Sequence, residues 1–481
     1  MFKNLANCVI VCWLAGMVQV QDATAQDAVF QDVSGKLGLQ LGGGAACWAD
    51  FDNDGWVDVC AGSVWKNNQG KSFSKLGEVA PGSAIAADFD NDGFVDLFSW
   101  SSLKLLRNSG GTGFVQISLP KLPRVTPRGA VWADFNNDGF VDLYVGGYEG
   151  SERSQLVLIN EGGKSFRVTK SAGNQATRGV TACDFDQDGD VDVYVSNYRL
   201  QPNLLWLNDG KAGFQEVAGS YGVIATKPGF GGGHSIGAAW GDFNNDGLID
   251  LFAGNFAHVD GRGDQPKSRF LQNLGRDQGF KFKDLGTCGV FYQESYASPS
   301  VADYDNDGNL DLFFTTVYGV ASFGRRNNSV LFRNNGKFAV TNATAAAKLS
   351  GLPPTYQAAW ADFDNDGDLD LTSAGKLFQN QGTGHAWLKV RLSGDGKSVN
   401  RSAIGAQVRI KVADKILTRQ VEAGTGEGNQ SEATLHFGLG SHQGPVSVEI
   451  FWPNRAQQTL TDQETNRLLT VDYQAGAGDR K

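Results

Sequence analysis

Seven times the chain repeats a nine-residue segment of the form D-x-D/N-x-D-G-x-x-D, starting at Asp50, Asp88, Asp134, Asp184, Asp242, Asp303 and Asp362, with successive starts 38, 46, 50, 58, 61 and 59 residues apart. Self-similarity at a period of roughly 40 to 60 residues marks a repeat architecture and suits the blades of a β-propeller. So much like charge in nine residues repels itself unless something positive sits inside the loop.

Positions one, three, five and nine of each copy carry side-chain oxygens, and position six is always glycine. Oxygens at alternate positions around a sharp glycine turn suit a hard cation of six to eight ligands, with the carbonyl of position seven completing the shell. The candidate metal ligands are therefore Asp50, Asp52, Asp54, Trp56 and Asp58 in the first loop and Asp88, Asp90, Asp92, Phe94 and Asp96 in the second. The third and fourth contribute Asp134, Asn136, Asp138, Phe140 and Asp142, then Asp184, Asp186, Asp188, Asp190 and Asp192. The fifth offers Asp242, Asn244, Asp246, Leu248 and Asp250, the sixth Asp303, Asp305, Asp307, Asn309 and Asp311, and the seventh Asp362, Asp364, Asp366, Asp368 and Asp370.

Calcium fits this donor set best, up to seven ions, because magnesium demands a tighter octahedron and no thiolate or imidazole stands in the loops to attract zinc or copper. An EF-hand is excluded: position twelve is Ala61, Ser99, Val145, Val195, Ala253, Phe314 and Ser373 where that loop needs a bidentate glutamate. One copy would read as a polar turn. Seven copies that keep oxygen at all four positions, including Asn136 and Asn244, do not. Half of the 52 acidic residues stand at these positions, and seven divalent ions would turn the formal net charge of −10 positive, so the acidity is no evidence for a basic partner.

The loops are flanked by short apolar and alternating runs such as AVWA before and VDLYV or IDLFA after, which read as strands. With 63 glycines, only 2 methionines, and 41 residues of phenylalanine plus tryptophan, the chain is expected to be all-β. Each unit then reaches an Asn-x-Gly turn at Asn68, Asn108, Asn160, Asn208, Asn273, Asn334 or Asn380, and in the first six an aromatic opens a fourth strand: Phe73, Phe114, Phe166, Phe214, Phe282 and Phe338. After Asn380 no such aromatic follows. The missing strand is expected at the other end, where Phe30-Gln31-Asp32 matches it, so that an N-terminal strand closes a seven-bladed propeller over residues 26–382. The aromatics at position two, Phe51, Phe89, Phe135, Phe185, Phe243, Tyr304 and Phe363, are expected to pack between blades.

These units resemble the FG-GAP/VCBS repeats of integrin α-subunit propellers and many secreted bacterial proteins. The tail, WLKVRLSGDGKSVNRSAIGAQVRIKV through VSVEIFWPNRAQQTL, resembles the ASPIC/UnbV domain that follows such repeats in the cartilage acidic protein family. The resemblance implies a fold and an ion but no reaction. The tail departs from it at GEGNQSE, residues 426 to 432, where the family favours an aromatic after the second glycine. Its own periodicity, with Leu388, Val390, Leu392, Val408, Ile410, Val412, Val446, Val448 and Ile450 alternating with polar residues, predicts a small β-sandwich over 385–475.

The opening 25 residues carry an apolar stretch from Cys8 to Val20 and the small-residue site Ala23-Thr24-Ala25, and read as a signal peptide. A secreted protein, extracellular, at the cell surface or periplasmic, follows, with no membrane insertion. Cys47, Cys60, Cys183 and Cys288 are too few for a disulfide scaffold, although Cys47 and Cys60 stand where they can meet across a hairpin.

The connections between second and third strands lengthen in the third to sixth units, on the face opposite the acidic loops. Elaborated loops on a rigid scaffold are where binding usually resides, and Tyr148, Arg153, Tyr198, Arg199, Phe256, His258, Arg262, Arg269, Tyr318, Phe323, Arg325 and Arg326 lie there. An extracellular polysaccharide or protein ligand is expected on that face, and no nucleic acid, since no basic stripe exists. Arg262-Gly263-Asp264 and the sequons at Asn327, Asn342, Asn400 and Asn429 are short enough to arise by chance or depend on the host. No catalytic constellation is visible. The alternative, a glycan lyase or hydrolase, would centre on His234 with Tyr292 or Tyr296.

Overall fold

The structure, a computed structural model, describes residues 28–147, 155–170, 173–260 and 263–475. The leader, together with Tyr148, Arg153 and Arg262, lies outside the described residues. Among the described residues helix is confined to the turn Ala218–Tyr221 and two short 3-10 segments, and everything else regular is strand.

Residues 28–380 form seven four-stranded antiparallel sheets. Sheet 1 runs Cys47–Ala49, Asp58–Ala61, Ser63–Asn67 and Phe73–Lys75, and sheets 2 to 6 repeat the pattern from Ile85, Pro127, Thr177, Ser235 and Tyr296. Sheet 7 has Ala359–Ala361, Asp370–Ser373 and Lys376–Asn380, and its fourth strand is Phe30–Asp32, with Phe30 opposite Asn380. The register repeats: Asn67 faces Phe73, Asn108 faces Phe114, Asn160 faces Phe166, Asn208 faces Phe214 and Asn273 faces Phe282. In sheet 6 Asn334 faces Val340, so Val340 and not Phe338 opens that strand. Phe338 adopts φ 56° in the turn ahead of it.

Three sets of contacts carry each sheet to the next. The first strand of every sheet packs against the first strand of its neighbour, and Ala359–Ala361 packs back on Cys47–Ala49. Each position-two aromatic meets the aromatic that opens the fourth strand of the following sheet or, in sheet 6, the Phe338 ring in the turn before it. Phe51 lies 5.5 Å from Phe114, Phe89 5.9 Å from Phe166 and Phe135 5.3 Å from Phe214. Phe185 lies 5.5 Å from Phe282, Phe243 6.5 Å from Phe338, Tyr304 6.1 Å from Phe30, and Phe363 6.1 Å from Phe73. Edge and tilted pairs at these separations add to the area they bury.

The turn asparagine supplies the third set. Its Nδ2 donates to the position-two carbonyl of the preceding sheet, from Asn108 to Phe51 at 2.7 Å, through Asn160, Asn208, Asn273 and Asn334, to Asn380 with Tyr304 at 2.8 Å. In sheet 1 this role falls to Asn67, whose Nδ2 donates to Phe363 at 2.7 Å. The expectation placed it at Asn68. The sequence Asn67-Asn68-Gln69-Gly70 spells Asn-x-Gly one residue late, but Gly70 N–H caps Asn67 Oδ1 at 2.7 Å, the i,i+3 arrangement also made by Asn108 and Gly111.

Residues beyond 385 make two facing sheets. One pairs Ala386–Ser393 with Leu435–Gly440 and, in parallel, with Leu468–Asp472, and the other holds Lys415–Gln420, Gln407–Val412, Val446–Phe451 and Gln457–Gln463. Leu388, Val390, Val408, Ile410, Val446, Val448 and Ile450 are buried in one cluster that continues into sheets 2 to 4 of the ring.

That continuity comes from a segment threaded through the ring. Residues 421–432 pass along the innermost strands and hydrogen-bond to six of the seven. Gln430 exchanges backbone bonds with Ala46 and Trp48, and its amide pairs with the Ala86 backbone at 2.8 and 3.0 Å. Ala423 O accepts from Trp132 N, Gly426 O from Val180 N, and Glu432 N donates to Trp360 O. Thr425 Oγ1 donates to Ala238 O, and Gly426 passes Ser298 and Pro299 of the remaining strand. The GEGNQSE stretch is the core of this plug. Its glycines fit because Gly428 is left-handed at φ 78° and lies against the Trp100 indole, whose Nε1 donates to its carbonyl.

Candidate metal centres and the opposite face

The seven acidic loops share one internal geometry. The position-one carboxylate accepts from the amides of positions five and six: Asp50 from Asp54 and Gly55 at 3.1 and 2.9 Å, Asp242 from Asp246 and Gly247 at 3.1 Å each, and likewise in the others. Position five accepts from the amide of position seven, as Asp54 does from Trp56 at 3.0 Å. The position-nine carboxylate accepts the turn asparagine N–H, Asn67 to Asp58 at 2.7 Å and Asn334 to Asp311 at 2.7 Å, which ties each loop to the start of the third-to-fourth-strand turn.

What remains is an unsatisfied oxygen at the loop centre. Position three keeps a buried Oδ1 with no hydrogen-bond partner in six loops, at Asp52, Asp90, Asp186, Asn244, Asp305 and Asp364. Such an acceptor costs about 1 to 3 kcal/mol unless something positive meets it. In five loops three carboxylates bring ligand atoms within 4.8 Å of one another, namely Asp50, Asp52 and Asp58; Asp88, Asp90 and Asp96; Asp184, Asp186 and Asp188; Asp303, Asp305 and Asp311; and Asp362, Asp364 and Asp370. In the loops starting at Asp134 and Asp242, asparagine replaces the third carboxylate.

Burial outweighs the backbone amides and raises these carboxyls, Asp58 and Asp96 to about 8, Asp88 to about 7, and Asp134, Asp142, Asp184 and Asp242 to between about 7 and 8. Asp192, Asp250, Asp303, Asp311 and Asp370 rise well above the usual range for the same cause. A dense, dehydrated oxygen cluster that prefers a proton to an empty negative charge is chemically suited to hold a divalent cation instead. Basic side chains from outside the loops meet some of these carboxylates. Lys66 bonds Asp52 and Asp54, Arg333 bonds Asp305 at 2.7 Å and Asp307 at 3.2 Å, and Arg455 bonds Asp190 at 3.2 Å.

Position four, not singled out in the sequence, links the loops. Its residue is left-handed in every copy, and its amide reaches the next loop: Asn53 to Gly93 O, Asn91 to Gly139 O, Asn137 to Asp190, Gln187 to Gly247 O, Asn245 to Asn309, Asn306 to Gly367 O, and Asn365 to Gly55 O. The signal was present as asparagine in six copies and glutamine in the other.

The C-terminal unit covers this face. Lys389 Nζ, buried, bonds Asp362 at 3.0 Å and Glu432 at 3.2 Å, Gly438 N donates to Asp303 at 3.1 Å, and Ile416 N donates to Asn245 O at 3.0 Å. A cavity of about 320 Å³ remains between it and sheets 1 and 2, lined by Asp50, Asp88, Arg391, Arg401 and Glu422. Asn400 and Asn429, two of the sequons, are buried, the first within the C-terminal unit and the second in the channel segment.

On the opposite face, Tyr198, His234, Phe256, His258 and Tyr318 come together, Tyr198 lying 4.5 Å from His234 and Phe256 5.6 Å from Tyr318. Four of the exposed large apolar or aromatic side chains stand in the loops of sheets 5 and 6: Phe291, Tyr292, Tyr318 and Val320. Arg269 is instead paired with Asp284. Tyr296 is not at a mouth at all, being buried and stacked 4.2 Å on Phe314. Tyr292 donates to Ala257 O at 3.0 Å. Cys47 and Cys60 do face each other across the first hairpin, as buried free thiols. Among the described residues no helix is long and apolar enough to cross a membrane.

Comparison with known proteins agrees with this partition. Residues 88–145 and 184–253 match the FG-GAP-like repeat, and residues 396–478 match the family described as ASPIC and UnbV. Cartilage acidic protein 1 of Mus musculus is 28% identical over 289 residues, covering 56% of this chain and 41% of that protein. Its Xenopus tropicalis counterpart is 29% identical over 296 residues with the same shares, 56% and 41%. The chain thus spans well under half the length of the curated relatives it matches. Among solved structures, an Agrocybe aegerita lectin specific for non-reducing terminal N-acetylglucosamine aligns with TM-score 0.40 and 16% identity over 63% of this chain and 80% of its own. A Bacillus licheniformis rhamnogalacturonan lyase aligns with TM-score 0.38 and 13% identity over 70% of each chain. Overlap this loose says nothing about ligands. Two stretches of the ring thus match the FG-GAP-like repeat and the C-terminal unit matches ASPIC and UnbV, and the chain is similar to cartilage acidic protein 1.

Proposed function

We propose that this is a secreted calcium-binding protein whose ring is held by cations in its seven acidic loops, and which binds an extracellular polysaccharide or protein through the face opposite those loops. The observation that carries the metal reading is the recurrent one: the same buried oxygen at position three lacks a partner in six loops, beside carboxyls that burial has raised. Asp50, Asp52, Asp54 and Asp58 and their equivalents would hold the ion. Calcium would supply charge neutralisation and cross-linking of strand ends, not a reaction.

The ligand reading rests on exclusion and exposure together. The loop face is covered by the C-terminal unit and the channel is threaded by 421–432, whereas the opposite face offers aromatic side chains of which Tyr318 is 60% and Phe291 42% exposed. Exposed aromatics beside arginines suit saccharide or protein recognition. Elemental analysis of the purified mature protein is expected to find several calcium ions per chain, and chelation to lower its melting temperature. A metal-free preparation whose melting is unmoved by excess calcium overturns the metal reading. Loss of glycan-array or protein-ligand binding in Tyr318→Ala, with melting unchanged, supports the binding face.

A further inference from the structure

Three side chains from three separate loops form a directed hydrogen-bond chain on the face opposite the acidic loops. The Tyr198 hydroxyl lies 2.8 Å from His258 Nε2, and His258 Nδ1 lies 3.2 Å from Glu294 Oε1. Glu294 is buried and held on both oxygens, by Ser322 N–H at 2.7 Å and Ser322 Oγ at 2.8 Å. The carboxylate at Nδ1 sets the tautomer, so Nε2 is the acceptor turned toward Tyr198. The imidazole is packed between Phe256 at 4.6 Å and the perpendicular His234 ring at 4.8 Å. His234 Nδ1 in turn accepts the Arg199 N–H at 3.2 Å. Arg199 and Leu200 have φ of 61° and 60°, the one place among the described residues where two successive non-glycine residues are left-handed, and such strain clusters at functional sites.

A hydroxyl, an imidazole and a buried carboxylate in that order form the arrangement that makes a hydroxyl a proton acceptor. The neighbouring groups are two guanidiniums that share one carboxylate. The Arg178 guanidinium lies 4.8 Å over the Tyr198 ring, and Arg128 stands beside it, both near Glu427 of the channel segment, at 3.8 and 3.5 Å. We infer that Tyr198, served by His258 and Glu294, is the acid–base residue of a site that cleaves uronate-containing polysaccharide by β-elimination. This rests on the polysaccharide arm of the binding reading and goes beyond it.

The atoms balance without a co-reactant. His258 takes the Tyr198 proton, Glu294 stabilises the imidazolium, and the phenolate removes the hydrogen at C5 of the uronate. The C5–H electron pair becomes the C4–C5 double bond as the C4–O bond to the next sugar breaks, and the leaving oxygen takes the proton held on His258. Only a sugar with a carboxylate at C5 makes that hydrogen acidic enough, and guanidinium charge near Tyr198 favours such a substrate. Hydrolysis needs a pair of carboxylates flanking the bond, whereas among the described residues Glu294 and Glu427, the carboxylates named here, are both buried and engaged.

The test uses the mature full-length protein with polygalacturonate, alginate and hyaluronan, following the ultraviolet absorbance of the unsaturated uronate and, in parallel, polymer binding by calorimetry. Tyr198→Phe is expected to lower turnover by about 100-fold or more while melting temperature and polymer binding are kept. His258→Asn and Glu294→Gln, which act through Tyr198, are expected to displace the acid limb of the pH–rate profile. Binding without unsaturated product, or Tyr198→Phe turning over at the wild-type rate, overturns the elimination and leaves the binding reading standing. Failure to bind any of the three polymers overturns both its polysaccharide arm and the site. If Tyr198→Phe does not fold, the pH profile of Glu294→Gln decides.

Discussion

At the scale of single residues, the loop carboxylates set the protein's response to pH. Asp58 and Asp96 at about 8 and Asp88 at about 7 lie far above the ordinary aspartate value near 3.9, so in metal-free protein the folded state binds protons the unfolded state has released. The stability these groups contribute is full below the unfolded value and is lost as pH rises through about 7 to 8. Chelated and desalted protein is therefore expected to melt at progressively lower temperature as pH is raised from 6 to 9 on this basis. Saturating calcium, which takes the proton's place, is expected to abolish or invert that slope. A scan showing parallel slopes with and without calcium counts against cations in these loops. Asn67 shows the same economy at a neutral group. Buried completely, it donates to Val57 O and Phe363 O and accepts from Gly70, leaving nothing unpaired.

At the scale of elements, the loops, the strand order and the borrowed first strand were legible, because each follows from a local rule repeated seven times. Phe30 was identifiable because its register partner Asn380 had no aromatic after it. Two details were misread for a local reason. Asn67 sits beside a second asparagine that matches the turn pattern better, and Val340 takes a position that Phe338 mimics two residues earlier. The channel segment was illegible. Its glycines and side-chain amides have no period, and the ring strands they meet are distant in sequence, as with Gln430 and Ala86, 344 apart. Gly428→Val tests it: a left-handed residue acquires a branched side chain against Trp100, at an expected cost of about 1 to 3 kcal/mol, read as a lower denaturation midpoint. An unchanged midpoint means the segment does not pack as described. The Tyr198–His258–Glu294 chain was half visible, since Tyr198 and His258 were recognised on the elaborated face but Glu294, 36 residues from His258, carried no signal.

At the scale of the whole molecule, the acidic loops are the floor on which the C-terminal unit stands. Lys389 joins Asp362 to Glu432, Gly438 N–H caps Asp303, and Arg419 is buried beside Asp303 and Asp242. Removing the ions would leave carboxylates whose charge or protonation no longer matches these partners, and a buried pair that loses its balance is costly. Limited proteolysis in chelator is expected to cleave the connection at 381–385 and release the C-terminal unit, while calcium protects it. Equal cleavage in both conditions would separate docking from ion binding.

The pairing of Phe30–Asp32 with Lys376–Asn380 also imposes a timetable. Phe30–Asp32 has no sheet partner until some 340 residues later, and the plug that fills the channel comes later still. Until then the growing chain is an arc with two open ends, and every sheet edge at those ends is free to join another copy. Completion is consequently a single late event, and a chain stopped short of Asn380 is expected to be an aggregating fragment, not a smaller ring.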